Sequence, residues 1–250
     1  MVWYKSRREI ELIREAGKIL AQALFSIEGV LKPGVTTLYL AEVAEHIIRK
    51  HGGYPAFKGY KGFQGAICTS INEEIVHGIP SKRVIKEGDL VSIDLGVLKN
   101  GYYSDAAKSY IVGKPTSARA EELLKTTRKA LFNGIEAARV GNRISDISRA
   151  VQATVEEKGF GVVRDLVGHG VGRNLHEDPQ IPNFVSQNGD RPLKEGMVIA
   201  IEPMVTEGDW HVEEADDGWT IVTRDGSLAA HFEHTIAVLS EGPMILTDLR

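Results

Sequence analysis

Cysteine is nearly missing from this sequence: the single Cys68 cannot close an internal disulfide, which points to a reducing compartment and makes the cytosol the expected location. Long apolar runs are missing too. No stretch of about 18 apolar residues occurs anywhere, and Met1 to Arg14 lacks an uninterrupted apolar segment behind a basic start, so neither a membrane span nor a secretory leader is read. Basic charge is not in excess. Lys and Arg total 30 against 34 Asp and Glu, a formal net charge of −4, which leaves no electrostatic footprint for nucleic acid or anionic lipid. Nor does a linker or low-complexity stretch divide the chain, so residues 1–250 read as one domain. A 250-residue chain that is 42% hydrophobic and 26% charged has the make-up of an ordinary globular protein. Chains of this length bury roughly three quarters of their unfolded surface and need no structural metal to hold a core. Any metal bound here is therefore expected to serve chemistry.

Ser6 and Glu9 stand in capping-box register, and Ile10, Ile13, Gly17, Leu20 and Leu24 share one face at helical spacing, which predicts an amphipathic helix from Ser6 to Leu24. A second helix is expected after Thr37, burying Leu40, Val43, Ile47 and Ile48 and ending at Gly52-Gly53. Two more are expected from about Ser117 to Ala138 and from about Ser145 to Lys158, with Gly159 as the stop. Between them, β-branched runs at Leu90–Leu95, Ser109–Val112, Val198–Ile201, Thr220–Thr223 and Thr235–Leu239 predict strands, hence an α/β fold.

A weak internal repeat carries more information than any single element. Lys86-Glu87-Gly88 leads into Val91-Ser92-Ile93-Asp94, and Lys194-Glu195-Gly196 leads into Ile199-Ala200-Ile201-Glu202. Upstream of each strand lies a histidine followed by Ile-Pro: His77 before Ile79-Pro80, and His176 before Ile181-Pro182. Downstream of each lies a second acid in a strand, Asp105 and Glu233, which the repeat sets as counterparts. Two halves, approximately 1–115 and 116–250, packed about a pseudo-two-fold axis would bring both acid sets to the centre.

An acid inside an apolar strand is costly unless a partner or a metal neutralises it. For any one of Asp94, Asp105, Glu202 and Glu233, a salt bridge or a cap is an equally good explanation. Four together would repel by several kcal/mol in a low-dielectric core, and no run of lysine or arginine nearby in sequence balances them. Divalent cations would. His169, in Gly168-His169-Gly170-Val171-Gly172, fits as a turn residue on its own and as a fifth ligand beside four acids. Four carboxylates and one imidazole form a hard, oxygen-rich set suited to manganese, ferrous iron or cobalt, with zinc also compatible. Carboxylates that bridge hold two ions roughly 3.5 Å apart, the geometry that activates water for hydrolysis.

The blocks Asp94 with Asp105, Gly168-His169-Gly170, Ile201-Glu202-Pro203-Met204 and Phe232-Glu233-His234-Thr235 resemble those of type I methionine aminopeptidases, as do Asn72-Glu73 and His77-Gly78-Ile79-Pro80. The resemblance spans essentially the whole chain. It implies the pita-bread fold, two related halves with a central antiparallel sheet flanked by helices, and two divalent ions as cofactor. It implies Asp94 as bidentate ligand of one ion, Asp105 and Glu233 as bridging ligands, and His169 and Glu202 on the second ion. Glu202 would also shuttle a proton from the activated water, His77 would meet the scissile nitrogen, and His176 would donate to the developing oxyanion. Tyr60, Phe63, Cys68 and Trp219 resemble the pocket for a methionine side chain, although core packing explains each of them as well. The substrates implied are methionyl peptides and nascent polypeptides with a small second residue, handled by a cytoplasmic monomer.

Two positions depart from the family pattern. Leu175 stands where an aromatic is usual, and His231 where glutamine is usual; His231 is expected on the face of Glu233, as a partner of a ligand or a weak extra ligand. His46, His51, His211 and His234 are expected to be surface or structural residues. Two other readings remain open. A proline-specific peptidase of the same fold would usually carry a separate N-terminal domain, whereas the helix at Ser6 is expected to open the catalytic region directly, without a ribosome-docking appendage. A non-catalytic binding module of this fold would have its ligands replaced.

Overall fold

In the computed structural model, which describes residues 1–186 and 190–249, the first helix runs as α1 (Arg7–Glu28). The Ser6 hydroxyl accepts from the Glu9 backbone N–H, and the Glu9 carboxylate accepts from that of Ser6. It continues a turn past Leu24 because Ile27 is also buried. Gly17 permits a close crossing: a Cβ there would lie 2.1 Å from the Leu246 carbonyl oxygen, so only glycine lets the chain's last segment pass. In α2 (Thr37–Lys50) the buried face is Leu40, Ala41, Ala44 and Ile48; the expected Val43 and Ile47 are only half-buried. After α2 come the short strands β1 (Tyr54–Pro55), β2 (Cys68–Ile71) and β3 (Glu74–Val76). They are followed by the long strands β4 (Leu90–Lys99) and β5 (Tyr102–Ile111).

The second half repeats the order with α3 (Ala118–Ala137), α4 (Ile144–Glu156), β6 (Gly161–Val162), β7 (Gly168–Gly170), β8 (Glu177–Ile181) and β9 (Val198–Ile201). It continues with β10 (Met204–Thr206), β11 (Val212–Glu214), β12 (Ile221–Thr223), β13 (Ala229–His231), β14 (His234–Leu239) and β15 (Gly242–Ile245). Helices α1 and α2 pack on the first-half sheet through Leu20, Ile27, Leu40 and Ile48 against Val91, Ile93 and Leu95. Helices α3 and α4 pack on the second through Leu131, Ile135 and Ile147 against Ile199, Ile201 and Ile236. No helix among the described residues is long and apolar enough to cross a membrane.

Strands β4 and β5 form one hairpin around Asn100-Gly101, both at positive φ (51° and 81°), the conformation a two-residue turn between twisted strands requires. The sequence reading stops the first strand at Leu95 and starts the next at Ser109. The polar Ser104, Asp105 and Lys108 between them hide a strand in which Ser104 and Asp105 are buried while Lys108 pairs with Glu28 at the surface.

Register then decides what meets what. In the first half, Asp94 lies opposite Ala107 and Gly96 opposite Asp105. In the second, Ile201 lies opposite His234 and Met204 opposite His231, and the same register carried past Pro203 sets Glu202 opposite Glu233. The halves join along β5 and residues 231–235. Ala107 and Glu233 exchange both backbone hydrogen bonds, at 2.9 and 3.4 Å. The Thr235 hydroxyl accepts from the Asp105 N–H and donates to its carbonyl, and the Ser109 hydroxyl does the same for His231. The repeat is thereby corrected: Asp94 and Ala107 correspond to Glu202 and Glu233, so the counterpart of Asp105 is His231 rather than Glu233. Matching acid to acid in sequence misses this, because a long excursion through β11 and β12 replaces the two-residue turn of the first half.

The N-terminal segment braces the loop between β7 and β8. Lys5 Nζ donates to Glu177 with only 3% and 4% of the two side chains exposed, and the other Glu177 oxygen accepts from the Arg173 and Asn174 N–H groups. The Lys5 N–H also donates to the Gly196 carbonyl, at 2.7 Å. Removing one member of a buried pair strands the other, so Lys5→Met is expected to cost about 3 kcal/mol in urea unfolding. Lys5→Met with Glu177→Gln should recover part of that loss. An unchanged midpoint in the single variant would show that the pair contributes nothing net.

Candidate metal centre

The join between the halves gathers the acids. Asp94 comes from β4, Asp105 from β5, His169 from β7, Glu202 from the end of β9 and Glu233 from the break between β13 and β14. Single ligand atoms of Asp105, His169 and Glu233 all lie within 4.8 Å of one another. His169 Nε2 is 3.5 Å from Glu202 Oε1 and 3.9 Å from Asp105 Oδ2. Its Nδ1–H donates to the Gly170 carbonyl at 2.9 Å, which leaves the Nε2 lone pair facing the acids, the tautomer a ligating imidazole needs.

Among the described residues no lysine or arginine pairs with Asp94, Asp105, Glu202 or Glu233. Burial pushes the Asp94 carboxyl up to about 7. Burial and the neighbouring carboxylates raise Asp105, Glu202 and Glu233 well above the usual carboxylate range. Asp94 Oδ1, Asp105 Oδ1 and Glu233 Oε1 are buried without a hydrogen-bond partner among the described residues. Buried polar atoms left open in this way are exceptional in folded proteins. Mutual repulsion, unsatisfied oxygens and a correctly presented imidazole are together what a site for divalent cations looks like before the cations are counted, so the residues fit the group.

Beside the acids lies a cavity of about 150 Å³ lined by Phe57, Tyr60, Phe63, Cys68, Trp219 and Leu175, with Lys61, His77, His176 and Asp94 around it. Every residue expected in the side-chain pocket is there; Phe57 and Lys61 were not expected. Leu175 forms part of its wall and is 1% exposed. Larger clefts, one of about 330 Å³ between α1 and α3, hold no such acid cluster, so chemistry rather than size selects the site. His77 sits in the left-handed region at φ 63°, and Gly78 follows because a Cβ there would lie 2.2 Å from the Thr69 carbonyl oxygen. His176 stacks on Tyr60 and approaches His169, with ring centroids 5.4 and 4.2 Å apart. Burial and the neighbouring His169 hold His176 down at about 3, so the ring is neutral. The Tyr60 hydroxyl lies 2.9 Å from His176 Nδ1; as a donor it fixes the proton on Nε2.

Ser109, Thr235, Lys5 and Phe57 took no part in the site as read from sequence. Ser109 and Thr235 carry a weak signal, each lying four residues past a counterpart position, Asp105 and His231. Lys5 carries none, since its partner is distant in the chain. His211 and His46 are exposed, and His234 is largely buried with Nδ1 on the Thr247 hydroxyl, a structural contact away from the acids.

Compared with known proteins, the chain matches the family model of metallopeptidase family M24 over residues 11–240. It is 51% identical over 248 residues to the methionine aminopeptidase of Clostridium acetobutylicum, with 99% of each chain covered. The crystal structure of methionine aminopeptidase from Thermotoga maritima superposes with a TM-score of 0.97 at 50% identity, covering 99% of this chain and 100% of that one. A prolidase from Pyrococcus horikoshii superposes with a TM-score of 0.80 at 27% identity, over 99% of this chain but 64% of that one.

Proposed function

The chain belongs to metallopeptidase family M24, with its pita-bread fold and among its methionine aminopeptidases, and from that premise we propose that it removes the first methionine from peptides and nascent polypeptides whose second residue is small. The observation that carries this reading is three buried carboxylates with unsatisfied oxygens, Asp94, Asp105 and Glu233, gathered with Glu202 and His169 against an apolar pocket holding Cys68, Tyr60, Phe63 and Trp219. We read residues 1–250 as one catalytic domain with halves 1–115 and 116–250, working as a monomer in the cytoplasm.

Asp94, Asp105 and Glu233 would hold one divalent ion, and Asp105, Glu233, His169 and Glu202 the other; manganese, ferrous iron and cobalt suit this donor set, and zinc is compatible. Two such ions, when bound, supply Lewis acidity toward the carbonyl oxygen and make water nucleophilic at neutral pH. Glu202, the most exposed of the acids with 13% of its side chain open, is placed to take the proton of the attacking water and return it to the leaving amine. His77 faces the scissile nitrogen. His176, neutral and with its proton on Nε2, donates to the carbonyl oxygen as negative charge develops there. The methionine side chain enters the cavity, and the second residue lies between the two imidazoles, which leaves room only for a small side chain.

The rival of the same fold, a proline-specific peptidase, is less well supported: the prolidase is matched over a smaller share of its length and at lower identity. A binding module would not need all five ligand positions kept. The test is a peptide panel with added manganese, cobalt or ferrous iron: Met-Ala-Ser, Met-Leu-Ser, Leu-Ala-Ser, Ala-Pro-Ser and N-acetylated Met-Ala-Ser. Met-Ala-Ser is expected to be cleaved best, and the acetylated peptide not at all. Selectivity over Leu-Ala-Ser should be finite, since a hydrophobic pocket discriminates by about 1–3 kcal/mol per methylene-scale difference. Preference for Ala-Pro-Ser would favour the rival peptidase, and no cleavage with metal demonstrably bound would favour a binding module.

A further inference from the structure

His231 is the one buried imidazole at the site for which the proposed reaction has no role. It is 1% exposed, and neither ring nitrogen has a hydrogen-bond partner among the described residues. A neutral imidazole carries one donor and one acceptor, so a fully buried ring with both idle calls for an explanation.

Three observations supply it. First, strand register makes His231 the counterpart of Asp105, since Met204 lies opposite His231 as Gly96 lies opposite Asp105. The chain thus presents an imidazole to the site where its other half presents an acid. Second, the backbone of His231 is clamped on both sides by the Ser109 hydroxyl, which is itself 2.7 Å from the Ser92 hydroxyl, so the ring is aimed from behind. Third, the two oxygens of Glu202 face different rings: Oε1 is 3.5 Å from His169 Nε2, and Oε2 is 3.9 Å from His231 Nε2. No hydrogen bond among the described residues holds that carboxylate, so it is free to rotate the roughly 1 Å that separates this distance from a hydrogen bond.

We infer that His231 is a positioning residue for Glu202: its Nε2–H donates to the carboxylate oxygen turned away from His169 and holds it oriented for proton transfer. The inference rests on the role of Glu202 proposed above. Ligation by His231 is less well supported, because His169 Nε2 has two carboxylates within 4 Å whereas among the described residues His231 has one, Glu202 Oε2 at 3.9 Å. Glutamine at this position would also offer a donor, on a longer and looser side chain.

The experiment compares His231→Leu, which fills the space without a donor, with His231→Gln, which restores one; His231→Met replaces the leucine variant if thermal melting shows that it does not fold. Manganese binding is followed by calorimetry, cobalt coordination by its visible spectrum, and kcat and KM separately with Met-Ala-Ser. His231→Leu is expected to keep both ions but to bind the weaker one or turn over about 10- to 100-fold less well, the usual range for a residue that supports a ligand, with KM within about threefold. A shifted cobalt spectrum should accompany this, and His231→Gln should return most of the loss. Unchanged metal affinity, spectrum and kcat in His231→Leu would make the ring mere filling and overturn the inference. Loss of one ion outright would make His231 a ligand instead, and equal defects in both variants would show that shape, not the hydrogen bond, matters. If the unmodified protein fails to cleave Met-Ala-Ser, the proposed function falls, while the calorimetric and spectral comparison still decides the contact with Glu202.

Discussion

Glu233→Gln is expected to lower peptidase activity by more than the roughly 10²-fold seen when a residue that only supports a metal ligand is lost, and to do so without unfolding the protein. Glu233 Oε1 is buried without a partner, and the backbone of Glu233 is held independently through its exchange with Ala107. An amide keeps the shape and the backbone contacts but cannot bridge two cations. Asp105→Asn should behave alike, its backbone held by the Thr235 hydroxyl. Stability should move the opposite way. The acids have folded-state values raised by burial and mutual repulsion, so in the folded protein stripped of metal these four groups bind more protons than they do in the unfolded chain. The contribution of these four acids to stability is therefore greatest below the ordinary carboxylate value of about 4. It declines as pH rises toward the folded value, which for Asp94 is about 7. Removing one charge relieves part of that repulsion, so at neutral pH the chelator-treated Glu233→Gln protein should melt no lower than the parent. Added manganese should raise the melting temperature of the parent far more than that of the variant. Elemental analysis showing undiminished metal together with full activity in either variant would sink the bridging assignment.

How much of this was legible in the sequence depends on how far apart the partners lie. The capping pair Ser6 and Glu9 is local, and α1 starts where it says. The four acids and His169 were legible because each stands out against apolar or glycine-rich neighbours, and burial without counter-charge is a cost that local sequence already displays. Asn100-Gly101 was a local signal that the reading passed over, because the strand after it carries Asp105 and Lys108 and does not look apolar. The correspondence of Asp105 with His231 was not legible: it depends on strand register across the join, and the excursion through β11 and β12 shifts the count. The clamps by Ser109 and Thr235, the Lys5–Glu177 pair and the Tyr60–His176 contact are all meetings of distant segments. Nothing in a hydroxyl or a lysine by itself says which backbone it will hold.

His176→Ala is expected to lower kcat by about 10²- to 10³-fold, as when one donor to a developing oxyanion is removed, with both ions still bound and KM little changed. The His176 ring packs against Tyr60 and His169, and among the described residues no carboxylate is paired with it, whereas His169 has two within 4 Å. Its charge state follows from its surroundings: burial and the neighbouring His169 hold it down at about 3, so between pH 5 and 9 it is neutral and donates through a single N–H. Tyr60 then determines which nitrogen carries that proton, since its hydroxyl occupies Nδ1. Tyr60→Phe should therefore weaken turnover in the same direction but less, because the ring remains and only its tautomer is released. The pH profile of kcat/KM should show no limb from His176 near 6.5, the range of an unperturbed histidine. A limb that appears there and vanishes in His176→Ala would mean the ring is charged, and the oxyanion would then be met by a cation rather than by a neutral donor. If instead His176→Ala loses metal while keeping its turnover per bound ion, His176 is a ligand, and the assignment of His169 to the second ion falls into question.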